Sequence, residues 1–189
     1  MSSMLRKTIA FPLLTLALLP GCAKAQDGSE WDQARSVLLG KPASDMVQGV
    51  ARWKLLTASA QFTFADYSGF LLSYPGFPDE AKLRVNAETA LSREAVEPAR
   101  VAAFFDRYAP VTNAARAQYA VALYALGRSE AAQIALNAWR GGAMSDSAEA
   151  MLFARLAATL TPADHDQRMD ALLWAGATAQ AERQIAYVS

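Results

Sequence analysis

The chain has 189 residues, 53% of them hydrophobic and 19% charged, with 18 basic and 18 acidic side chains. Residues 1–25 hold Arg6, Lys7 and Lys24 and no acid, so the rest of the chain carries 15 basic against 18 acidic groups, a formal charge of −3. That balance argues against a general nucleic-acid binder, which shows a basic excess; one cysteine and one histidine exclude an internal disulfide and a His-rich metal site.

Positions 1–25 predict a secretory signal peptide. Arg6 and Lys7 form a basic start, residues 9–19 a largely apolar run interrupted by Pro12 and Thr15, and Ala23-Lys24-Ala25 a small-x-small cleavage site. The run is too short to span a bilayer, which takes roughly 20 residues, and no later apolar run is long enough. Leu19-Pro20-Gly21-Cys22 also resembles a bacterial lipobox, in which the cysteine is acylated. Two destinations follow: a soluble periplasmic product cut after Ala25, or an outer-membrane lipoprotein anchored through Cys22.

Beyond a short tether at 26–28, no stretch alternates as a strand would, and Ala, Leu, Arg, Glu and Gln dominate. Gly40 with Pro42, Pro75-Gly76-Phe77-Pro78, Pro110, Gly127, Gly141-Gly142, Thr161-Pro162 and Gly176 punctuate segments of helical length. About nine or ten helices result. Apolar residues fall at helical spacing in Ala117, Ala120, Val121 and Tyr124, in Ala131, Ile134, Ala135, Ala138 and Trp139, in Leu152, Leu156 and Leu160, and in Met169, Leu172 and Leu173. Thr161-Pro162-Ala163-Asp164 reads as a helix start with N-cap, first-turn proline and first-turn acid; Asp146 with Glu149 reads as a capping-box variant.

These segments repeat. Phe70, Leu71 and Tyr74 recur as Phe104, Phe105 and Tyr108, each number shifted by 34; Trp139 lies 34 after Phe105, and Trp174 35 after Trp139. A period of this length is the mark of stacked helical hairpins, because a single hairpin cannot bury its apolar face alone. The expectation is an all-α superhelical stack of hairpins, an α-solenoid of tetratricopeptide type, with Phe70, Phe104 and Trp139 in equivalent buried positions. The chain stops at Ile185-Ala186-Tyr187-Val188-Ser189 in a helical pattern without a polar capping repeat, so a superhelix truncated at its C-terminus is expected.

Chemistry is sparse. Asp164-His165-Asp166 is a weak ligand cluster that reads better as a solvated first turn. Asp79-Glu80, Glu94 with Glu97, and Asp146 with Glu149 read as caps and polar faces, since a general acid needs a desolvated carboxyl group. Every carboxylate is expected at a turn, a cap or a polar helix face. No phosphate-cradling loop, nucleophile elbow or Cys/His pair is present. Trp53, Phe62, Phe64, Tyr67, Phe70, Tyr74, Tyr108, Tyr119, Tyr124, Trp139 and Trp174 serve either as inter-helix core or as a sugar-binding surface, with core the better reading. Arg84, Arg93, Arg100, Arg107 and Arg140 fit a solvated face or contacts to acidic groups.

The run from Asp164 to Trp174, followed by Ala181-Glu182-Arg183 and Ile185-Ala186-Tyr187-Val188, resembles the helical region of bacterial soluble lytic murein transglycosylases, as does Phe70-Leu71 with Tyr74-Pro75. The resemblance covers most of residues 29–189 and rests on helical-repeat motifs. It implies a U-shaped superhelical domain over 26–189, standing in the family beside a lysozyme-like domain that cleaves the MurNAc-GlcNAc bond of peptidoglycan without water. The family's catalytic Glu-Ser dipeptide occurs nowhere in this chain, so no catalytic, cofactor-binding or metal-ligating residue is assigned and the chain alone is expected to be inactive. The expected partners are peptidoglycan glycan strands and cell-wall proteins, not nucleic acid. The alternative is a tetratricopeptide-type scaffold for a protein partner.

Overall fold

The computed structural model describes residues 35–41 and 43–189. The signal peptide, the Cys22 lipobox, the 26–28 tether and the Pro42 break lie outside the described residues. Among those described there is no strand: a helical turn at 35–39 leads into α1 (Ala43–Ala58), α2 (Phe64–Ser73), α3 (Glu80–Leu91), α4 (Pro98–Arg107) and α5 (Asn113–Ala125), then α6 (Ala131–Arg140), α7 (Asp146–Leu156), α8 (Pro162–Trp174) and α9 (Thr178–Gln184), ending in a 3₁₀ turn at Ile185–Tyr187. None of these helices is long and apolar enough to cross a membrane.

The repeat is a property of the fold. Helices α2, α4, α6 and α8 start at Phe64, Pro98, Ala131 and Pro162, at intervals of 34, 33 and 31; α3, α5, α7 and α9 start at Glu80, Asn113, Asp146 and Thr178, at intervals of 33, 33 and 32. Each pair is a hairpin, and the extensively packed helices are always one or two elements apart in the chain, α5 on α6 most extensively. Ala117, Ala120, Ala135 and Ala138 are all buried there around Trp139 and Leu152. Small side chains let two helices approach closely, so the repeat builds much of its core from alanine.

Local chemistry sets the boundaries. Thr63 and Thr161 cap α2 and α8 in reciprocal capping boxes with Asp66 and Asp164, and Thr112 caps α5. Proline opens α4 and α8 at a position where its missing N–H costs nothing. Tyr74 and Tyr108 terminate α2 and α4 in the same way, each donating its amide to the carbonyl one turn back, Phe70 or Phe104, at 2.8 and 2.9 Å. The expectation for α7 needs correction: its cap is Ser145, whose hydroxyl accepts the Ala148 amide, while Asp146 is the first helical residue. Glu149 is thereby free to make other contacts.

Phe70, Phe104 and Trp139 are all buried, as expected, but their registers differ by one. The strict repeat column through the tryptophan is Leu71, Phe105, Trp139 and Leu173, with the first three buried and Leu173 62% exposed. Trp174, expected as a core aromatic, is 91% exposed. Trp139 is covered by His165 and Arg168 of the next hairpin, whereas Leu173 and Trp174 stay open to solvent.

Candidate functional site

The same period generates a second column. Tyr119, Phe153 and Tyr187 are also one repeat apart in turn, and Tyr119 meets Phe105 at 5.5 Å between ring centres just as Phe153 meets Trp139 at 5.5 Å. In the last hairpin Tyr187 turns instead onto Phe153 at 5.3 Å and stacks on His165 at 5.2 Å. A cavity of about 420 Å³ remains between α7, α9 and the 3₁₀ turn, lined by Trp139, Asp146, Glu149, Ala150, Phe153, Arg183, Gln184 and Tyr187. Trp139 is almost wholly buried and its Nε1–H has no hydrogen-bond acceptor.

Charge is concentrated beside this cavity. Arg168 of α8 is 0% exposed, an expensive position for a cation unless it is paired. Its Nη1 donates to the carbonyl oxygens of Gly142 at 2.8 Å and Trp139 at 3.3 Å. Its guanidinium lies 4.2 Å from the centre of the Trp139 ring, and Nη2 sits 3.1 Å from Glu149 Oε2, outside hydrogen-bond angles. Burial pushes the guanidinium's pKa below its ordinary value, with Glu149 opposing. Glu149 also faces Arg183 Nη2 at 3.0 Å, and the same Nη2 donates to Asp146 Oδ1 at 2.8 Å. The result is a chain of alternating charge, Arg168, Glu149, Arg183 and Asp146, running from the core to the surface.

The Asp164-His165-Asp166 side chains do not converge on one point. Asp164 accepts from the amide and hydroxyl of Thr161 at 2.8 and 2.7 Å and from Arg140 Nε at 2.6 Å. His165 Nδ1 lies 2.9 Å from Gln184 Nε2, and Asp166 accepts the Ser189 amide at 3.0 Å. The first turn of α8 is therefore not the solvated one expected: Asp164 is buried and His165 packs edge-on against Trp139. Among the described residues no group of three His, Cys, Asp or Glu side chains could hold a metal ion.

The other carboxylates mostly bind helix ends. Glu94 accepts the amide of Phe64 at 2.6 Å and Glu80 that of Gly76 at 3.0 Å, whereas Glu97 is the N-cap of α4 without a side-chain bond. The expectation that every carboxylate sits at a turn, a cap or a polar helix face fails at Glu88; Asp164 sits at a cap, though a buried one. Glu88 is 5% exposed, and its two oxygens accept the amides of Val111 and Thr112 at 2.6 and 2.7 Å, just before α5. Nothing in the sequence around Glu88 marks it, because both partners lie beyond the next helix.

Of the candidate arginines, Arg84 donates to the Ala109 carbonyl, Arg93 to that of Ala60, and Arg140 to Asp164; Arg107 lies over the Tyr108 ring and Arg100 is exposed. Most of the candidate aromatics are core: Phe64, Tyr67, Phe70, Tyr108, Tyr119 and Trp139 are buried, and Trp53, Phe62, Tyr74 and Tyr124 are half-buried against them. Neither a protein-family model, nor a curated protein, nor a solved structure matches the chain.

The first turn of α8 is expected to contribute to acid sensitivity of the fold. Backbone and side-chain hydrogen bonds from Thr161, then Arg140, hold the Asp164 carboxyl below its ordinary 3.8. Thr63 with Arg52 does the same for Asp66, and Arg128 with Tyr119 for Asp106. Because each folded value lies below the unfolded one, the stabilisation is present above about pH 4 and is lost as pH falls through the folded values. Melting temperature should be flat between pH 7 and 5 and drop below pH 4. Asp164→Asn should lower the plateau and flatten the drop; an unchanged slope would show that Asp164 contributes nothing to it.

Proposed function

We propose that this chain is a non-catalytic binding module: the superhelical part of a periplasmic lytic murein transglycosylase, which frames peptidoglycan strands and does not cut them. The observation that carries the reading is the cavity beside Trp139, where Phe153 and Tyr187 offer ring faces while Gln184, Arg183 and Asp146 offer polar contacts. Aromatic faces with a few convergent polar groups are what saccharide and peptide ligands both require. The acids beside it, Asp146 and Glu149, are engaged by arginines, whereas glycosidic cleavage needs a protonated carboxyl group held at the leaving oxygen.

Sedimentation with purified murein tests this. The chain should be retained, and Tyr187→Ala should weaken retention about fivefold, the equivalent of about 1 kcal/mol of ring contact. No anhydro-muropeptides should be released. Absence of retention, or anhydro products that disappear on mutation of one acid, would overturn the reading. A second reading, a helical scaffold for a protein partner, is favoured by one observation: Leu173, Trp174 and Ile185 are all exposed toward the C-terminal end of the chain.

A further inference from the structure

Arg183 and Asp146 both line the cavity and pair with each other at 2.8 Å, yet their side chains are 48% and 85% exposed. An ion pair so open to water is weak, and a ligand bearing both signs can replace it without leaving either charge unpaired. Glu149 differs, because it also neutralises the buried Arg168. The four charges cancel. An anionic ligand would be attracted by Arg183 and repelled by Asp146, a cationic one the reverse, and a neutral sugar could hydrogen-bond to both but would neutralise neither. Beside the pair stand Phe153, Tyr187 and the buried Trp139, whose indole N–H lacks an acceptor.

We propose that this cavity binds a zwitterionic amino-acid head, an ammonium and a carboxylate on one carbon. The carboxylate takes the Arg183 guanidinium, the ammonium takes Asp146, and the stem lies against Phe153 and Tyr187. The inference rests on the murein reading for its natural source, the free end of a diamino acid in an uncrosslinked stem peptide. A free amino acid presents the same head.

Calorimetric titration of the purified chain with free diaminopimelic acid, with a murein tripeptide ending in that residue, and with the tripeptide N-acetylated or amidated at the head tests it. Both free heads should bind, and each blocked form should bind at least about tenfold more weakly, since each loses a charge-assisted hydrogen bond. Asp146→Asn should abolish the penalty of acetylation and Arg183→Gln that of amidation; melting curves establish that both variants fold. Blocked forms that bind as well as the free head, or no binding of any probe, overturn the proposal. Retention on glycan strands stripped of peptide, with no zwitterion bound, would overturn it while leaving the murein reading intact. Binding of the free amino acid without retention on murein would uphold the zwitterion site and remove the murein reading.

Discussion

Arg168→Met is expected to lower the unfolding free energy by about 3–5 kcal/mol, the usual cost of breaking a buried ionic contact by removing one partner. For a domain of this size that is a fall in melting temperature of roughly 10 °C. The physical cause is specific. Methionine can fill the volume over the Trp139 ring, but it leaves the carbonyls of Trp139 and Gly142 without the donor that reaches them from α8, and it removes the inner partner of Glu149. Arg168→Lys should recover only part of the loss, because a point charge cannot serve two carbonyls and a carboxylate from one planar fork. Glu149→Gln should also be costly, since it leaves the buried Arg168 cation without the carboxylate beside it. In a double-mutant cycle the pair should couple by about 1–3 kcal/mol, as contacting residues do. Denaturant melts of the four proteins measure this, and additivity would show that the ion pair is incidental.

Gly142→Ala is expected to destabilise by about 2–6 kcal/mol, from two sources. Gly142 sits at φ 88, a conformation that costs a side-chain-bearing residue about 1–3 kcal/mol. An added Cβ would also lie 2.9 Å from the Cβ of Ala171 and 3.1 Å from its carbonyl carbon, which forces the α6–α7 turn away from α8 at an overpacking cost of about 1–3 kcal/mol. Gly176 supplies the control: it too has positive φ, at 65, but nothing lies within 4 Å of its would-be Cβ. Gly176→Ala should therefore show the backbone cost alone, about 1–2 kcal/mol. Equal losses at both positions would show that the close approach at Gly142 is relieved freely.

Both predictions fall where one hairpin meets the next, and there the sequence is hardest to read. Phe153 and Tyr187 are legible in principle: they extend the Tyr119 column at the repeat interval, a signal masked by the stronger echo of Phe70, Phe104 and Trp139. Arg168 is not legible, because an arginine in Asp166-Gln167-Arg168-Met169-Asp170 looks like any solvated helix position. Its burial is decided by the carbonyls of Trp139 and Gly142, 29 and 26 residues earlier. Glu149 reads as a capping residue for a related reason. The cap is the preceding Ser145, and the glutamate's partners arrive from α8 and α9.

Helical content, the hairpin period and most boundaries follow from the order of residues alone. These depend on groups close together along the chain: a threonine hydroxyl and an amide in the first turn, a proline at a helix start, apolar side chains one helical turn apart. Which polar groups are buried, which aromatic columns close and where a cavity remains emerge only when the hairpins pack. Those outcomes depend on what lies over a residue from the next hairpin. Leu71, Phe105 and Trp139 are buried and Leu173 is exposed at the same register, because burial is a property of the neighbour as much as of the side chain.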